Sequence, residues 1–461
     1  MVRLFGTDGI RGIAGEYPLT PEFVEKIGIV SAETLTHHFL PYRSGSQEVP
    51  PPKPTIIIGR DTRESGQMIL HALANGLIER GVDVWDCGVI TTPAISYLTQ
   101  ATNSLAGIVI SASHNPYQYN GIKFFSNSGM KLPDEVESEI EEKLAALDLS
   151  KTEKKERRGN IIPFQEAKGK YIDFIKRSIP EGINFSGLKM VIDCANGSVS
   201  EIGPKIFSDL GAEVIVVNDA PDGKNINEGC GSLHLEIIQK AVKANRADLG
   251  FAFDGDGDRV LFTDEKGSDL DGDHLMALCA ECMKRKGKLN NNTLVVTSMS
   301  NLGLLLAMEK LGIRVLHTKV GDRYVLEETL KSGAVLGGEQ AGHIIFLDYC
   351  KTGDGLITAL RVLSIVREEK KPLSELAGIM KRVPQVLINV EVKERKPFTA
   401  LPLTSRLIRE AKSTLGKEGR ILVRYSGTEP LARVMVEGKD REKIERIAKR
   451  ISEAIRKELN P

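Results

Sequence analysis

A chain of 461 residues is too long for a single hydrophobic core, so two to four domains are expected. Its 41% hydrophobic and 27% charged composition is that of a globular protein rather than a disordered or fibrous one. The 62 Lys and Arg offset the 62 Asp and Glu; no net basic field gathers nucleic acid, and any anion must be held by local groups.

In chain order, the opening MVRLFGTDGIRG has no long apolar core and no small-residue cleavage pattern, so no signal peptide is expected. One arrangement then occurs three times. The first copy runs TIIIGRD (55–61), a helical stretch, GVDVWDCG (81–88), another helical stretch, and LAGIVISASHNP (105–116). The second runs through KMVIDCANG (189–197), GAEVIVVND (211–219) and DLGFAFDGDGDR (248–259). The third runs through TLVVTSMS (293–300), GIRVLHTKVG (312–321) and GAVLGGEQAGH (333–343). Short β-branched runs alternating with amphipathic segments predict an α/β sheet covered by helices. A further apolar run follows each copy, GIKFF (121–125), RVLFTDEKG (259–267) and HIIFLDYC (343–350), and predicts a fourth strand entered through a turn.

The tail differs. GRILVRYSGTEPLARVMVEG (419–438) reads strand, polar loop, strand, and 440–460 reads as one amphipathic helix with Ile and Ala on its buried face. The expected architecture is three similar mixed α/β domains, at 1–157, 158–257 and 258–374, and a smaller α+β domain at 375–461. PYRSGSQEVPPPKP (41–54) is expected as a surface loop, and KTEKKERRGN (151–160) as a solvated charge run near the first boundary.

No apolar run approaches the roughly 18 residues that span a bilayer. The six cysteines are scattered, and only Cys279 and Cys282 form a CxxC, at helical spacing and without the second pair that a zinc site needs. Reduced structural cysteines in a cytoplasmic protein without membrane or nucleic-acid partners are expected.

Ligands of α/β sheets bind beyond the carboxyl ends of strands, where these copies end in SASHNP, DGDGDR and GGEQAGH. Asp254, Asp256 and Asp258 alternate with glycines that permit a tight path turning the carboxylates toward one point, which suits Mg²⁺. A solvated acidic turn and an EF-hand are the competing readings. Glu265 falls at position 12 of such a loop, but Arg259 stands at position 6, where Gly is required. Arg259 beside the carboxylates also suggests an anionic ligand. SASHNP offers Ser111, Ser113 and His114. Adjacent residues in extended chain face opposite ways, which argues against a Ser–His hydrolase. Alone the segment reads as a helix N-cap or turn; with a Mg²⁺ loop in the matching position of the next domain a phosphorylatable serine becomes the better reading, and spacing does not separate the two serines. In RYSGTEPLAR (424–433), Arg424, Ser426, Gly427, Thr428 and Arg433 surround a tight turn with the donors that a phosphate dianion requires; a hairpin with surface arginines is the alternative. Glu339 and His343 in the third loop suit sugar hydroxyls, and a hairpin turn explains that loop equally well.

Taken in order and spacing, SASHNPYQYNGIKFF, DGDGDR, GGEQAGH and RYSGTEP resemble the phosphoserine, metal, sugar-recognition and phosphate-binding loops of the α-D-phosphohexomutases, over nearly the whole chain. The resemblance implies four domains around a central cleft, with Ser113 as the phosphorylated serine. It implies Mg²⁺ held by Ser113, Asp254, Asp256 and Asp258. Lys123, ten residues after Ser113, matches a lysine that assists proton transfer. Arg11, Arg259 and His343 match cleft residues near the reacting groups. Ser113, Lys123, Arg11 and His343 form the implied catalytic set, and Arg259, Asp322, Glu339, Gln340 and His343 the implied substrate contacts. Arg424, Ser426, Gly427, Thr428 and Arg433 would hold the phosphate that is not reacting.

Within the family, FGTDGIRG, DGKNINEGCGSLH (222–234), TKVGDRYV (318–325) and SGTEP look most like the phosphoglucosamine mutases. Ala341 departs from the pattern, standing where the sugar loop commonly has Ser. The implied reaction interconverts hexosamine 6-phosphate and 1-phosphate, with a hexose 1,6-bisphosphate as activator, on a monomer or homodimer. Mannose or glucose phosphates are the alternative substrates. A Mg²⁺-dependent sugar phosphatase and a non-catalytic sugar-phosphate binding protein are the rivals from other classes.

Overall fold

The computed structural model describes residues 4–6, 8–39, 53–147, 158–426 and 430–459. The predicted loop at 41–54 therefore lies outside the described residues up to 52, and the charge run at 151–160 up to 157.

The first sheet contains β1 (Ile10–Ile13), β2 (Thr55–Arg60), β3 (Asp83–Val89), β4 (Ala106–Ile110), β5 (Tyr119–Ser126) and β6 (Ile161–Pro163), in the order β1-β5-β4-β2-β3-β6. β2 pairs in parallel with β3 and β4, while β5 returns antiparallel beside β4. Every residue of β4 is buried, as parallel strands covered by helices on both faces require. The second sheet contains β7 (Lys189–Asp193), β8 (Glu213–Val217), β9 (Leu249–Phe253), β10 (Val260–Asp264) and β11 (Asp269–Leu270), in the order β11-β10-β9-β7-β8. The third contains β12 (Thr293–Thr297), β13 (Arg314–Thr318), β14 (Leu336–Gly338) and β15 (Ile344–Phe346), in the order β13-β12-β14-β15.

The core order is the same in all three: β3-β2-β4-β5, β8-β7-β9-β10 and β13-β12-β14-β15. In each, three parallel strands are followed by an antiparallel fourth, and the polar loop is the turn into it. The predicted repeat and its fourth strands are both present.

Two of the expected boundaries fall inside sheets. β6 lies beyond residue 157, yet Val84 to Asp86 of β3 pair with Ile161 to Pro163. A cut after 257 would separate β9 from β10, whose antiparallel pairing runs from Phe253↔Val260 to Leu249↔Asp264. The acidic loop is the connection inside a hairpin, so the second sheet continues to Leu270 and the helix Gly272–Arg285 opens the third.

By compactness the chain divides into two units, 1–298 with 314–377, and 299–313 with 378–461. The second unit has a sheet of β16 (Gln385–Glu391), β17 (Gly419–Tyr425) and β18 (Leu431–Gly438), in the order β16-β18-β17. The predicted C-terminal helix, Arg441–Leu459, buries Ile444, Ala448, Ile451 and Ile455 against Val434 and Val436. The helix Leu302–Lys310 joins this unit through its N-cap. Asn301 Nδ2 donates to Val383 O and to the fully buried Glu437, each at 3.0 Å, and Arg420 Nε donates to Glu437 at 2.8 Å. All six cysteines are free and buried. No described helix is long and apolar enough to cross a membrane.

Candidate functional site

The loop after β4 brings Ser113 to the end of the first sheet, 1% exposed, with φ at +52°. Its Oγ donates to Asp254 at 2.6 Å, across to the loop after β9. Ser111 is occupied differently: its Oγ donates to Asp61 at 2.6 Å and accepts from the Ser113 amide at 2.9 Å. The structure thus separates the two serines that spacing left together. Ser113 Oγ also lies 3.2 Å from His114 Nδ1, but Arg259 Nη1, which can only donate, is 3.1 Å from the same nitrogen. The lone pair is engaged, and burial followed by Arg259 pulls the His114 pKa down to about 4. His114 is not a base paired with Ser113.

Asp254, Asp256 and Asp258 are buried, and each offers an oxygen within 4.8 Å of the others. Burial, then Asp258 and Asp256, push Asp254 well above the usual carboxylate range, and burial with Asp256 raises Asp258. Asp256 behaves oppositely: burial works upward, but the charge of Lys123 and bonds from Lys123 and Thr92 carry it below. The Oδ1 atoms of Asp256 and Asp258 are buried without a hydrogen-bond partner. Two orphaned acceptors among three converging carboxylates fit a hard divalent cation such as Mg²⁺. The flanking elements are strands, so the EF-hand reading is excluded. Gly257 has the predicted conformational reason, with φ at +72°, and a Cβ there would also sit 2.7 Å from Val199 Cγ2 and 2.8 Å from Thr91 Cγ2.

Lys123 on β5 is 2% exposed and donates to Asp256 at 2.8 Å, with Asp8 at 3.3 Å and Asp258 at 3.8 Å. Burial works against the ammonium, but these carboxylates outweigh it and raise its pKa. Asp8 also meets Arg11 and lies 2.8 Å from Lys131, which reaches Asp322 at 2.6 Å. His343 Nε2 is 3.8 Å from Asp322 and accepts from Gly353 N at 3.0 Å. Arg11, Lys123, Lys131 and Asp322, far apart in sequence, thus join one network of charge through Asp8 around the acidic loop, with His343 beside Asp322.

The third loop is tied to the second by Val260 N donating to Gly342 O at 3.2 Å. Half-buried Glu339 accepts from Gly321 N at 3.1 Å. Gln340, an expected substrate contact, donates from Nε2 at 3.1 Å to Asp271, the N-cap of the helix Gly272–Arg285. Ala341 is exposed.

In the second unit, Arg424 on β17 and Arg433 on β18 are directly opposite in register, and Ser426, 3% exposed, follows Arg424. Burial and then Arg433 lower the Arg424 pKa. Two like charges facing each other across a ladder repel, and an anion bound between them would relieve that repulsion. Gly427 and Thr428 lie outside the described residues.

Sequence reasoning missed Asp8, Lys131, Thr92 and Asp61. Asp8 was visible inside FGTDGIRG, but Lys131 and Thr92 carry no local signal, since folding alone brings them to carboxylates of other sheets.

Similarity to known proteins agrees. Residues 2–151, 169–267 and 271–383 match the phosphoglucomutase/phosphomannomutase alpha/beta/alpha domains I, II and III, and 387–454 matches the C-terminal domain. A phosphoglucosamine mutase of Geotalea uraniireducens is 49% identical, covering 100% of this chain and 99% of its own. Another, from Brevibacillus brevis, is 48% identical with both chains fully covered. A phosphoglucomutase/phosphomannomutase family structure from Burkholderia thailandensis has the same fold, with TM-score 0.79 and 24% identity over 99% of this chain and 97% of its own. With all four domains matched in order along its length, this chain belongs to the phosphoglucomutase/phosphomannomutase family.

Proposed function

We propose that this chain is a phosphosugar mutase interconverting glucosamine 6-phosphate and α-glucosamine 1-phosphate through a phosphorylated Ser113. The observation that carries the reading is the 2.6 Å bond from Ser113 Oγ to Asp254, which sets a hydroxyl of one sheet on the acidic loop of the next. A phosphatase with an Asp nucleophile has no use for that serine, nor for the paired arginines of the second unit. The likeness to phosphoglucosamine mutases over the full chain supports glucosamine as the sugar.

Phospho-Ser113 gives its phosphoryl group to the free hydroxyl of the hexosamine 6-phosphate, and the P–O bond to the serine breaks as the bond to the sugar oxygen forms. Asp254, Asp256, Asp258 and the phosphorylated Ser113 would hold Mg²⁺, which would neutralise charge on the departing serine oxygen. Lys123 and His343 are the candidate acid and base: one takes the proton of the sugar hydroxyl and the other gives a proton to the departing serine oxygen. Arg11 and Arg259 hold the reacting phosphate, while Glu339 and Asp322 face sugar hydroxyls. The 1,6-bisphosphate turns by about half a rotation and returns its other phosphate to Ser113. Arg424, Ser426, Gly427, Thr428 and Arg433 hold whichever phosphate is not reacting. A hexose 1,6-bisphosphate charges an unphosphorylated enzyme by the same transfer. Six free, buried cysteines fit a reducing cytoplasm.

The test compares kcat/KM for α-glucosamine, α-mannose and α-glucose 1-phosphates, with Mg²⁺ and a trace of glucose 1,6-bisphosphate, following phosphorus by ³¹P NMR. Preference for glucosamine supports the reading. Preference for mannose or glucose gives the weight to Ala341, and the absence of any 6-phosphate removes the mutase reading.

A further inference from the structure

We infer that Asn227 is a positioning residue that holds the Ser113 turn in its transferring conformation. The inference rests on the mutase reading and concerns DGKNINEGCGSLH, a motif that the reaction outlined above does not use.

Ser113 sits at φ +52°, a conformation that a side chain-bearing residue adopts only when its surroundings impose it. Two side chains do so, each bridging the same pair of carbonyls. Asn227 Nδ2 donates to Ser113 O at 2.9 Å and to Asn115 O at 3.1 Å. Arg63 Nη2 donates to the same two oxygens at 3.1 and 2.5 Å, and is itself fixed by a buried ion pair with Asp61. Carbonyl oxygens only accept, so the orientation of the Asn227 amide is settled by its partners. The Asn227 backbone is anchored in turn, donating to Ala195 O at 2.9 Å.

Arg63 belongs to the first sheet's domain and Asn227 to the second's, so the turn is gripped from both sides. The metal loop closes on the same point. A Cβ at Gly255, between two of the aspartates, would lie 2.8 Å from Ser113 O and 2.9 Å from Asn227 Nδ2. Three loops therefore meet at one carbonyl, and the angle of that peptide sets where Ser113 Oγ points. Asn227 itself contacts neither Ser113 Oγ nor the triad carboxylates in its side-chain bonds.

The experiment uses the full chain as wild type, Asn227→Ala and Asn227→Asp. Steady-state kcat and KM for α-glucosamine 1-phosphate, with Mg²⁺ and glucose 1,6-bisphosphate, are paired with amide hydrogen exchange. Misplacing a reacting group by about 1 Å costs on the order of 100-fold, so Asn227→Ala should lower kcat by about 10- to 100-fold. KM should stay within about twofold, because the interaction serves transfer and not sugar binding. Asn227→Asp keeps the shape but turns an oxygen on two carbonyls, and should lose at least as much. Exchange should rise in 111–116 and stay unchanged elsewhere. A kcat within about twofold of wild type for Asn227→Ala overturns the inference, as does full activity of Asn227→Asp or KM worsening in step with kcat. Should wild type fail to turn over, the mutase reading falls, while exchange at 111–116 still decides whether Asn227 holds the turn.

Discussion

Replacing each of the two serines of SASHNP with alanine should give opposite results. Ser111 is fully buried, and Ser111→Ala removes a hydrogen bond to a carboxylate, worth about 1.5–3 kcal/mol. It also strands the amide of Ser113, whose acceptor is the lost hydroxyl, at a further cost of about 1–3 kcal/mol. Together these predict a loss of about 2.5–6 kcal/mol and a first unfolding transition lowered by roughly 10 °C. Ser113→Ala removes only the bond to Asp254, a carboxyl already pushed upward by burial and by its neighbours, and alanine tolerates the +52° φ as well as serine does. Its stability should lie within about 1 kcal/mol of wild type, with turnover abolished. Calorimetry of both variants, with ³¹P NMR following the 1-phosphate and 6-phosphate, measures the two quantities. Turnover by Ser113→Ala would refute the assignment. Ser111→Ala that is stable but inactive, beside an active Ser113→Ala, would move the phosphoryl group to the other serine.

Asp256→Asn keeps the acceptor for Thr92, relieves repulsion on Asp254 and Asp258, and leaves Lys123 with Asp8 and Asp258. Folding should be near normal and turnover lower by about 10²–10³-fold, and wild-type activity would remove the metal assignment. Gly255→Ala should lose activity comparably, because its Cβ meets Ile226 Cδ1 at 2.7 Å as well as the Ser113 carbonyl; an unchanged kcat would show that the loop yields. Burial raises the pKa of Asp354, the N-cap of the helix Gly355–Glu369 and the acceptor for Tyr171 OH at 2.8 Å, to about 6. A carboxyl raised in the fold contributes stability that is present below its unfolded pKa of about 3.9 and is lost as pH climbs through the folded value. Relative to Asp354→Asn, wild type should therefore lose up to about 3 kcal/mol between about pH 4 and pH 6, read by melting at both ends; parallel pH profiles would refute it.

The repeat was legible because each copy uses the same periodicities. Strands such as GFAF and GIVI are short and wholly buried, and the polar loop after each breaks the pattern where a turn must form. The boundaries were less legible. A charge run or a glycine-rich loop looks like a division, but β6 pairs with a strand some 75 residues earlier (Ile161 against Val84), and β10 returns beside β9. Sheet pairing is a long-range property that local composition does not carry. The same distinction governs the site. Asp254, Asp256 and Asp258 announce themselves by crowding, whereas Lys131 becomes meaningful only beside Asp8 and Asp322. Gln340 shows the converse: a polar residue in a binding loop whose amide donates to the carboxylate that caps a helix.

Crowding of the aspartates is tolerable because the surrounding charges alternate. From Asp322 the sequence of contacts runs to Lys131 at 2.6 Å, to Asp8 at 2.8 Å, to Lys123 at 3.3 Å and to Asp256 at 2.8 Å. Each lysine lies between carboxylates of different elements, and both come from the segment just after the serine loop, so the first sheet supplies cations to the second and third. A buried ion pair costs desolvation, and here it is offset by giving each ammonium at least two partners. The arrangement leaves Asp254 and Asp258 as the under-compensated members, since Lys123 is committed most closely to Asp256. Those are the carboxyls that burial and mutual repulsion raise, and Asp254 is the one that Ser113 touches. The deficit of positive charge is therefore concentrated on the side of the triad facing the serine, where a divalent cation and a phosphate dianion of nearly equal and opposite charge would enter together.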